Sequence, residues 1–275
     1  MKPQEFAKRR THGPSPRYPL VESYKKPNNN FVFIAGPCSV EDGDQIRTIA
    51  AFVANQGATH LRGGVFRAGT YPSDKTRFGW VFEPLLQAYS EAAKSNGLKN
   101  IIEVLEYSDE SLELINKYAA CFQVGARSMQ NYSLLRKLGK YGKPVFLKRN
   151  TGATVDEWLG AAEHLLVGGV TELYLIERGS STFLNDTRWT QALHVIPSVK
   201  SICDLPVIVD ASHGTGRRDL VPSMTLAGIA AGAAGCLVET HYSPEASLSD
   251  SEQALSFEDF EKLSSKIFKL KSLNL

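Results

Sequence analysis

Eight short apolar runs, each five to seven residues long and each followed by a longer amphipathic stretch, constrain this chain more than any other feature. The runs are 31–37, 59–63, 100–105, 121–125, 144–148, 172–177, 206–210 and 235–239. Runs this short and this continuously apolar suit strands buried on both faces, as in parallel sheets. Helical periodicity fills the intervals at 44–56, 81–95, 108–118, 131–138, 154–166, 187–200 and 218–231, with 257–269 after the last run. Several of these begin with suitable capping or acidic residues: Ser108 with Glu110 and Ser111, Thr154 before Asp156 and Glu157, and Asp219 in a first turn. Parallel strands require crossovers, so eight strand–helix units in unbroken alternation predict one α/β domain, a (β/α)8 TIM barrel over residues 31–275. An open doubly wound sheet is the competing arrangement, but no GxGxxG follows the first strand.

At 275 residues, with 43% hydrophobic and 22% charged side chains, the chain has enough apolar material for one large core without a second domain. Its 31 basic and 29 acidic residues are spread along the sequence and leave a net charge of +2, which argues against a nucleic-acid partner. No charged segment precedes an apolar stretch at the N-terminus, and the least polar run, 224–238, is too short and too rich in Gly and Ala to span a bilayer. A cytoplasmic protein without a membrane partner is expected. Cys38, Cys121, Cys203 and Cys236 lie far apart without CxxC spacing, so neither a disulfide framework nor a zinc finger is indicated. Residues 1–30, rich in Pro, Asn and basic side chains, form an extension, read either as an interface arm or mouth cap or as a solvated tail.

In a barrel of this kind the reactive groups stand at the C-terminal ends of the strands. Read in order, those ends carry Cys38, Arg62, Glu103, Arg127, Lys148 with Arg149, Glu177 with Arg178, His213, and Glu239 with His241. Two sets separate by chemistry. Cys38, His213, Glu239 and Asp250 offer a thiolate, an imidazole and two carboxylates, a mixture suited to Mn, Fe, Co or Zn. Arg62, Arg67, Arg127, Lys148, Arg149 and Arg178 are cations that would repel one another unless anions occupy the same mouth. A substrate bearing phosphate and carboxylate fits them, and no organic cofactor is indicated. The segment from Ser212 to Gly216 reads either as a backbone phosphate cradle or as a plain βα turn.

These residues resemble the 3-deoxy-D-arabino-heptulosonate 7-phosphate (DAHP) synthases, in particular the short form (type I beta) related to 3-deoxy-D-manno-octulosonate 8-phosphate (KDO 8-phosphate) synthases. The likeness runs from about residue 31 to 260 and rests on Ala35-Gly36-Pro37-Cys38-Ser39-Val40-Glu41, Leu61-Arg62-Gly63-Gly64, Gly125-Ala126-Arg127-Ser128-Met129-Gln130-Asn131, Leu147-Lys148-Arg149, Ile176-Glu177-Arg178-Gly179, Asp210-Ala211-Ser212-His213 and Val238-Glu239-Thr240-His241 with Ser249-Asp250. The resemblance implies a metal-dependent, aldol-like condensation of phosphoenolpyruvate with an aldose phosphate, chiefly erythrose 4-phosphate, at the entry to the shikimate pathway. It implies Cys38, His213, Glu239 and Asp250 as metal ligands and Arg62, Arg127, Lys148 and Arg178 as phosphoenolpyruvate contacts. A homo-oligomer, dimer or tetramer, is expected on the same ground. The 30-residue extension is too short for a regulatory or chorismate mutase domain, so none is expected.

The acceptor side departs from the resemblance. Where the family carries Lys-Pro-Arg-Thr, this chain reads Arg67-Ala68-Gly69-Thr70, so an arginine replaces the lysine between the substrates and a glycine replaces the arginine that holds the sugar phosphate. The following stretch, Tyr71 to Phe78, brings Lys75 and Arg77 as substitutes, so that Arg67, Thr70, Lys75 and Arg77 are the acceptor-side candidates. Asn150 and Ala211 are smaller departures that replace the family's Gly and Pro. The Lys-Ala-Asn-Arg stretch of KDO 8-phosphate synthases is missing too. The alternative reading is the same chemistry on a different or unphosphorylated aldose in a specialised pathway; a metal-dependent hydrolase and a non-catalytic barrel are the more distant ones. Restoring the arginine with Gly69→Arg is expected to raise kcat/KM for erythrose 4-phosphate. An unchanged or lower value would mean that another cation already holds the phosphate.

Overall fold

The computed structural model describes residues 18–26, 30–65, 83–105 and 108–273 of the protein. Eight parallel strands close into a barrel in sequence order. They are β1 Val32–Gly36, β2 His60–Arg62, β3 Lys99–Val104, β4 Cys121–Val124, β5 Val145–Lys148, β6 Leu173–Glu177, β7 Val207–Asp210 and β8 Gly235–Glu239. Every apolar run of the sequence supplies one strand, and the open sheet is excluded by the pairing of β1 with β8, from Val32 opposite Gly235 to Gly36 opposite Glu239.

Helix α1 is Pro19–Ser23, and α2 Gly43–Asn55, α3 Glu83–Ser95, α4 Asp109–Tyr118, α5 Tyr132–Leu138 and α6 Val155–Val167 follow. Helix α7 is Val195–Lys200, α8 Ala211–Thr215, α9 Val221–Ala230 and α10 Phe257–Lys271. The expected caps form: Ser108 accepts from the Ser111 N–H, and Thr154 with Glu157 makes a reciprocal capping box. Two expectations need correction. The stretch 187–200 is helical only from Val195, because the Thr190 backbone pairs instead with Ser180 (2.8 and 3.0 Å) in an antiparallel bridge. Asp219 lies just before α9, in the turn closed by Val221 N donating to the Arg217 carbonyl at 3.2 Å, and pairs with Arg217 at 2.7 Å.

Side chains alternate across each strand, and the alternation divides the core in two. Ile34, Ile101, Phe146, Ile176, Ile208 and Leu237 form a cluster inside the barrel. Phe33, Leu61, Phe122, Leu147, Leu175 and Val209 belong to the larger cluster that the helices complete outside. The inward face ends, two residues further on, in Glu103 beyond Ile101, Lys148 beyond Phe146, Asp210 beyond Ile208 and Glu239 beyond Leu237. The period of two thus carries an apolar interior upward into a charged mouth. At Gly36, φ is +147° and a Cβ would lie 2.1 Å from the Arg62 carbonyl oxygen, so only glycine lets β1 approach β2 this closely beside the mouth.

Residues 18–26 bracket the outside of the barrel. The N–H groups of Leu20 and Val21 donate to the Glu163 carboxylate (3.1 and 2.9 Å), and the Tyr18 hydroxyl donates to the Asp156 carbonyl at 2.8 Å. The Tyr24 hydroxyl accepts from Leu173 N at the start of β6. This part of the extension is therefore neither a solvated tail nor a cap over the strand C-termini. No helix among the described residues is long and apolar enough to cross a membrane.

His60 sits inside the barrel below the mouth, its Nδ1 2.8 Å from the Thr59 hydroxyl and its ring edge-on to Phe146. Burial, with help from the Lys99 charge, lowers its pKa from 6.5 to about 4. Between these values the unfolded chain binds a proton that the folded chain does not, so stability rises with pH across this window and is lost as pH falls through it. The contribution is about 3 kcal/mol, from ~1.4 kcal/mol per pKa unit. Urea unfolding at pH 4.5 and 7 should show this loss for the wild type and a flatter profile for His60→Gln; identical slopes would place the acid sensitivity elsewhere.

Candidate active site

Strand β1 runs through Pro37 into Cys38, whose carbonyl accepts from Gly64 N at 2.9 Å while the Pro37 carbonyl accepts from Arg62 at 3.0 Å. These bonds tie the end of β1 to the end of β2. The Cys38 Sγ lies 2.9 Å from Asp250 Oδ2 and donates to it. Cys38, Glu239 and Asp250 each turn one donor atom into a common space, all within 4.8 Å of one another. Asp250 holds a φ of +49°, the only positive value for a non-glycine among the described residues, and such strain concentrates where side-chain direction is functionally constrained.

His213, in α8, stands beside this cluster. Its Nε2 is 3.3 Å from Glu239 Oε1, and its Nδ1 is 2.9 Å from Asp210 Oδ2. Asp210 is placed to accept a proton from Nδ1, and in the neutral imidazole the Nε2 lone pair then faces the cluster, as in a metal-binding histidine. Two acceptors facing each other at 3.3 Å call for a proton or a cation between them. Burial, then the Glu239 charge, holds the Cys38 thiol well above its ordinary pKa. Burial alone would raise the Asp250 pKa too, but the Cys38 hydrogen bond and the charges of His213, Arg188 and Arg62 lower it. The four residues therefore fit a borderline divalent cation, whose charge would favour the thiolate that burial opposes.

The cations occupy the adjacent wall. Arg62 projects inward from β2 onto Glu239, and that carboxylate keeps it charged against the cost of burial. Glu239 also accepts from Gln253 at 2.6 Å. Lys148 meets Asp210 at 3.1 Å. Burial would raise the Asp210 pKa, yet His213 and Lys148 depress it strongly, so the carboxylate stays ionised between them. Arg178, 8% exposed, stacks on Trp189 with 5.4 Å from guanidinium to ring, and none of its N–H groups meets an acceptor among the described residues. Burial lowers its pKa accordingly. Arg127 stands exposed in the helical turn Ala126–Ser128 after β4.

Several strand-end residues do not join this group. Arg149 projects outward, donating to Glu177 (2.6 Å), the Ala153 carbonyl (2.8 Å) and the Ser180 hydroxyl (2.6 Å). Glu177 in turn accepts from Gly179 N and Ala192 N, so the pair fixes the loop after β6 rather than the mouth. Glu103 accepts from Gln123 and lies against Gly125, where a Cβ would meet it at 2.1 Å. His241 engages Gln45 and the Ser243 carbonyl with its two ring nitrogens. The segment Ser212 to Gly216 is no open cradle, because it lies largely within α8 and His213 N donates to Asp210. Arg67, Thr70, Lys75 and Arg77 lie outside the described residues. Asp210, Gln253 and Arg188 were not singled out from sequence; Asp210 had a readable signal, an N-cap acid three residues before His213, whereas Gln253 and Arg188 had none.

A family model described as the DAHP synthetase I family matches residues 22–274. A phospho-2-dehydro-3-deoxyheptonate aldolase of Thermotoga maritima is 39% identical over 270 residues, covering 98% of this chain and 78% of that protein. A 2-dehydro-3-deoxyphosphooctonate aldolase of Agrobacterium fabrum is 23% identical over 256 residues, 86% of this chain and 88% of its own length. Among solved structures, a truncated 3-deoxy-D-arabino-heptulosonate 7-phosphate synthase from Thermotoga maritima matches with a TM-score of 0.81 at 40% identity, over 90% of this chain and 88% of that one.

The buried charges make one claim that stability alone can check. Removing a single partner from a buried ionic group leaves the others uncompensated and costs about 3–5 kcal/mol. Asp210→Asn should destabilise the protein by about 3 kcal/mol in urea unfolding at neutral pH. A loss below about 1 kcal/mol would mean that Lys148 and His213 find other partners.

Proposed function

Because the chain belongs to the DAHP synthetase I family, we propose that it condenses phosphoenolpyruvate with erythrose 4-phosphate to give DAHP and phosphate, with a divalent metal held by Cys38, His213, Glu239 and Asp250. The coarser statement, an aldolase-type transferase that joins phosphoenolpyruvate to an aldose phosphate, follows from the family itself. The observation that carries the finer reading is the meeting of two unlike sets at one barrel mouth. Cys38, Glu239 and Asp250 converge within 4.8 Å, and Lys148 at the end of β5, Arg178 after the neighbouring β6 and Arg62 at the end of β2 bring cations to the same mouth.

The bonds to be changed are few. C3 of phosphoenolpyruvate forms a bond to the aldehyde carbon, water adds at C2, and the C2–O bond to phosphate breaks. Arg178 and Lys148, with Arg62 and Arg127, hold the enolpyruvate phosphate and carboxylate and stabilise the charge that collects on the departing phosphate. Arg178 suits this role best, because its guanidinium is largely desolvated on Trp189 and meets no acceptor among the described residues. Lys148 keeps Asp210 as counter-ion, which fixes its ammonium while leaving donors for substrate. A bound divalent ion supplies Lewis acidity at the aldehyde oxygen. Arg67, an arginine where the resemblance has lysine, is a poor proton donor because its pKa stays above about 12.

The test is phosphate release with Mn²⁺ and phosphoenolpyruvate, offering erythrose 4-phosphate, erythrose, ribose 5-phosphate and arabinose 5-phosphate. Turnover of erythrose 4-phosphate far above the others is expected; turnover confined to another aldose would move the enzyme to the alternative, specialised reaction. Cys38→Ala should lose metal in equilibrium dialysis and lose activity together while retaining its far-UV circular dichroism. Full turnover of that variant in metal-supplemented buffer would remove Cys38 from the ligand set.

A further inference from the structure

We infer that Arg188 grips the anionic end of the acceptor sugar; this deepens the function proposed above and rests on it. Arg188 lies in the loop closed by the Ser180–Thr190 bridge, on the rim of the mouth. Its stem is fixed. The backbone N–H donates to the Thr215 carbonyl at 2.9 Å, and its Cβ crosses Gly216, where an added Cβ would approach it to 2.6 Å.

Its head group, by contrast, is weakly held. The side chain is 45% exposed, and its single contact among the described residues is Nη1 to Asp250 Oδ1 at 3.3 Å, long for a charge-assisted hydrogen bond. Neighbouring arginines are better satisfied: Arg217 grips Asp219 and the Asp186 carbonyl, and Arg218 grips Glu245 and the Ser251 carbonyl. Arg188 thus combines a positioned stem with a guanidinium whose donors are largely free, as a phosphate clamp requires.

Its direction completes the argument. Asp250 faces Cys38 with Oδ2 and Arg188 with Oδ1, so the guanidinium stands one carboxylate away from the cluster at which an aldehyde would be held. A cavity of about 550 Å³ opens there, lined by Asp250, Arg188, Arg217, Asp186, Glu252 and Gln253 among others. That volume is ample for a small sugar phosphate. Asp186 and Glu252 repel an anion, which leaves Arg188 and Arg217 as the attracting wall, and Arg217 is already engaged.

The decisive experiment is calorimetric. Erythritol 4-phosphate, which has no aldehyde to react, is titrated into Mn²⁺-loaded protein saturated with phosphoenolpyruvate, with erythritol as the uncharged control. Arg188→Gln should weaken erythritol 4-phosphate binding at least tenfold and raise the KM for erythrose 4-phosphate. Its affinity for phosphoenolpyruvate should stay unchanged, and Arg188→Lys should recover part of the loss. Equal binding of erythritol 4-phosphate by wild type and Arg188→Gln would overturn the assignment, and so would a fall in Mn²⁺ affinity alone, which would make Arg188 a positioning residue for Asp250. Failure of the wild type to bind phosphoenolpyruvate would refute the proposed function instead, and the same erythritol 4-phosphate comparison without it would still decide the role of Arg188.

Discussion

The pairing of β1 with β8 is the constraint on which the rest of the molecule depends. Cys38 and Asp250 are 212 residues apart in sequence, yet they share a hydrogen bond because Gly36 stands opposite Glu239 in that ladder. Without closure, the thiol at the end of the first strand and the carboxylates at and after the eighth would lie at opposite edges of an open sheet. Closure also gives every strand two partners, so the backbone groups of all eight are satisfied without an exposed edge. The glycine at position 36 belongs to the same requirement, since a side chain there would strike the Arg62 carbonyl.

On the closed mouth the charges form a chain rather than a collection. Arg62 bonds Glu239, Glu239 faces His213, His213 bonds Asp210, and Asp210 holds Lys148. Each carboxylate lies between a cation and the imidazole, and both carboxylates are fully buried. Such an arrangement is costly to desolvate and is tolerable only when every member keeps a partner. Its consequence is coupling: the set that fits a metal and the set that fits an enolpyruvate phosphate share Asp210 and Glu239, so occupancy of one alters the charge seen by the other. Arg178 stands outside the chain, buried on Trp189 and without a hydrogen-bond acceptor among the described residues.

The strand-end reading of the sequence was sound where it followed the period of two and overreached where it did not. Lys148 follows Phe146 on the inward face, so Arg149 had to point outward, and it does, to Glu177. Glu177 lies between the inward positions 176 and 178 and turns outward by the same rule. Both corrections were available from the alternation alone. His241 was not, because the chain has left β8 by then and its direction follows from bonds to Gln45 and Ser243. The helix expected over 187–200 failed for a related reason: a local propensity gave way to the bridge between Ser180 and Thr190.

The sequence by itself determined the number and order of the strands, the helices between most of them, and the residue types at the strand ends. These are local properties, written in hydrophobic periodicity and capping chemistry that neighbouring residues carry together. Only the tertiary structure decided which of those residues meet. The shared space of Cys38, Glu239 and Asp250, the seat of residues 18–26 on α6, the positive φ of Asp250 and the loose hold on Arg188 all arise between segments far apart in the chain. Their physical cause is closure of the barrel, and no local pattern encodes the distance between two strand ends that only the eighth strand brings together.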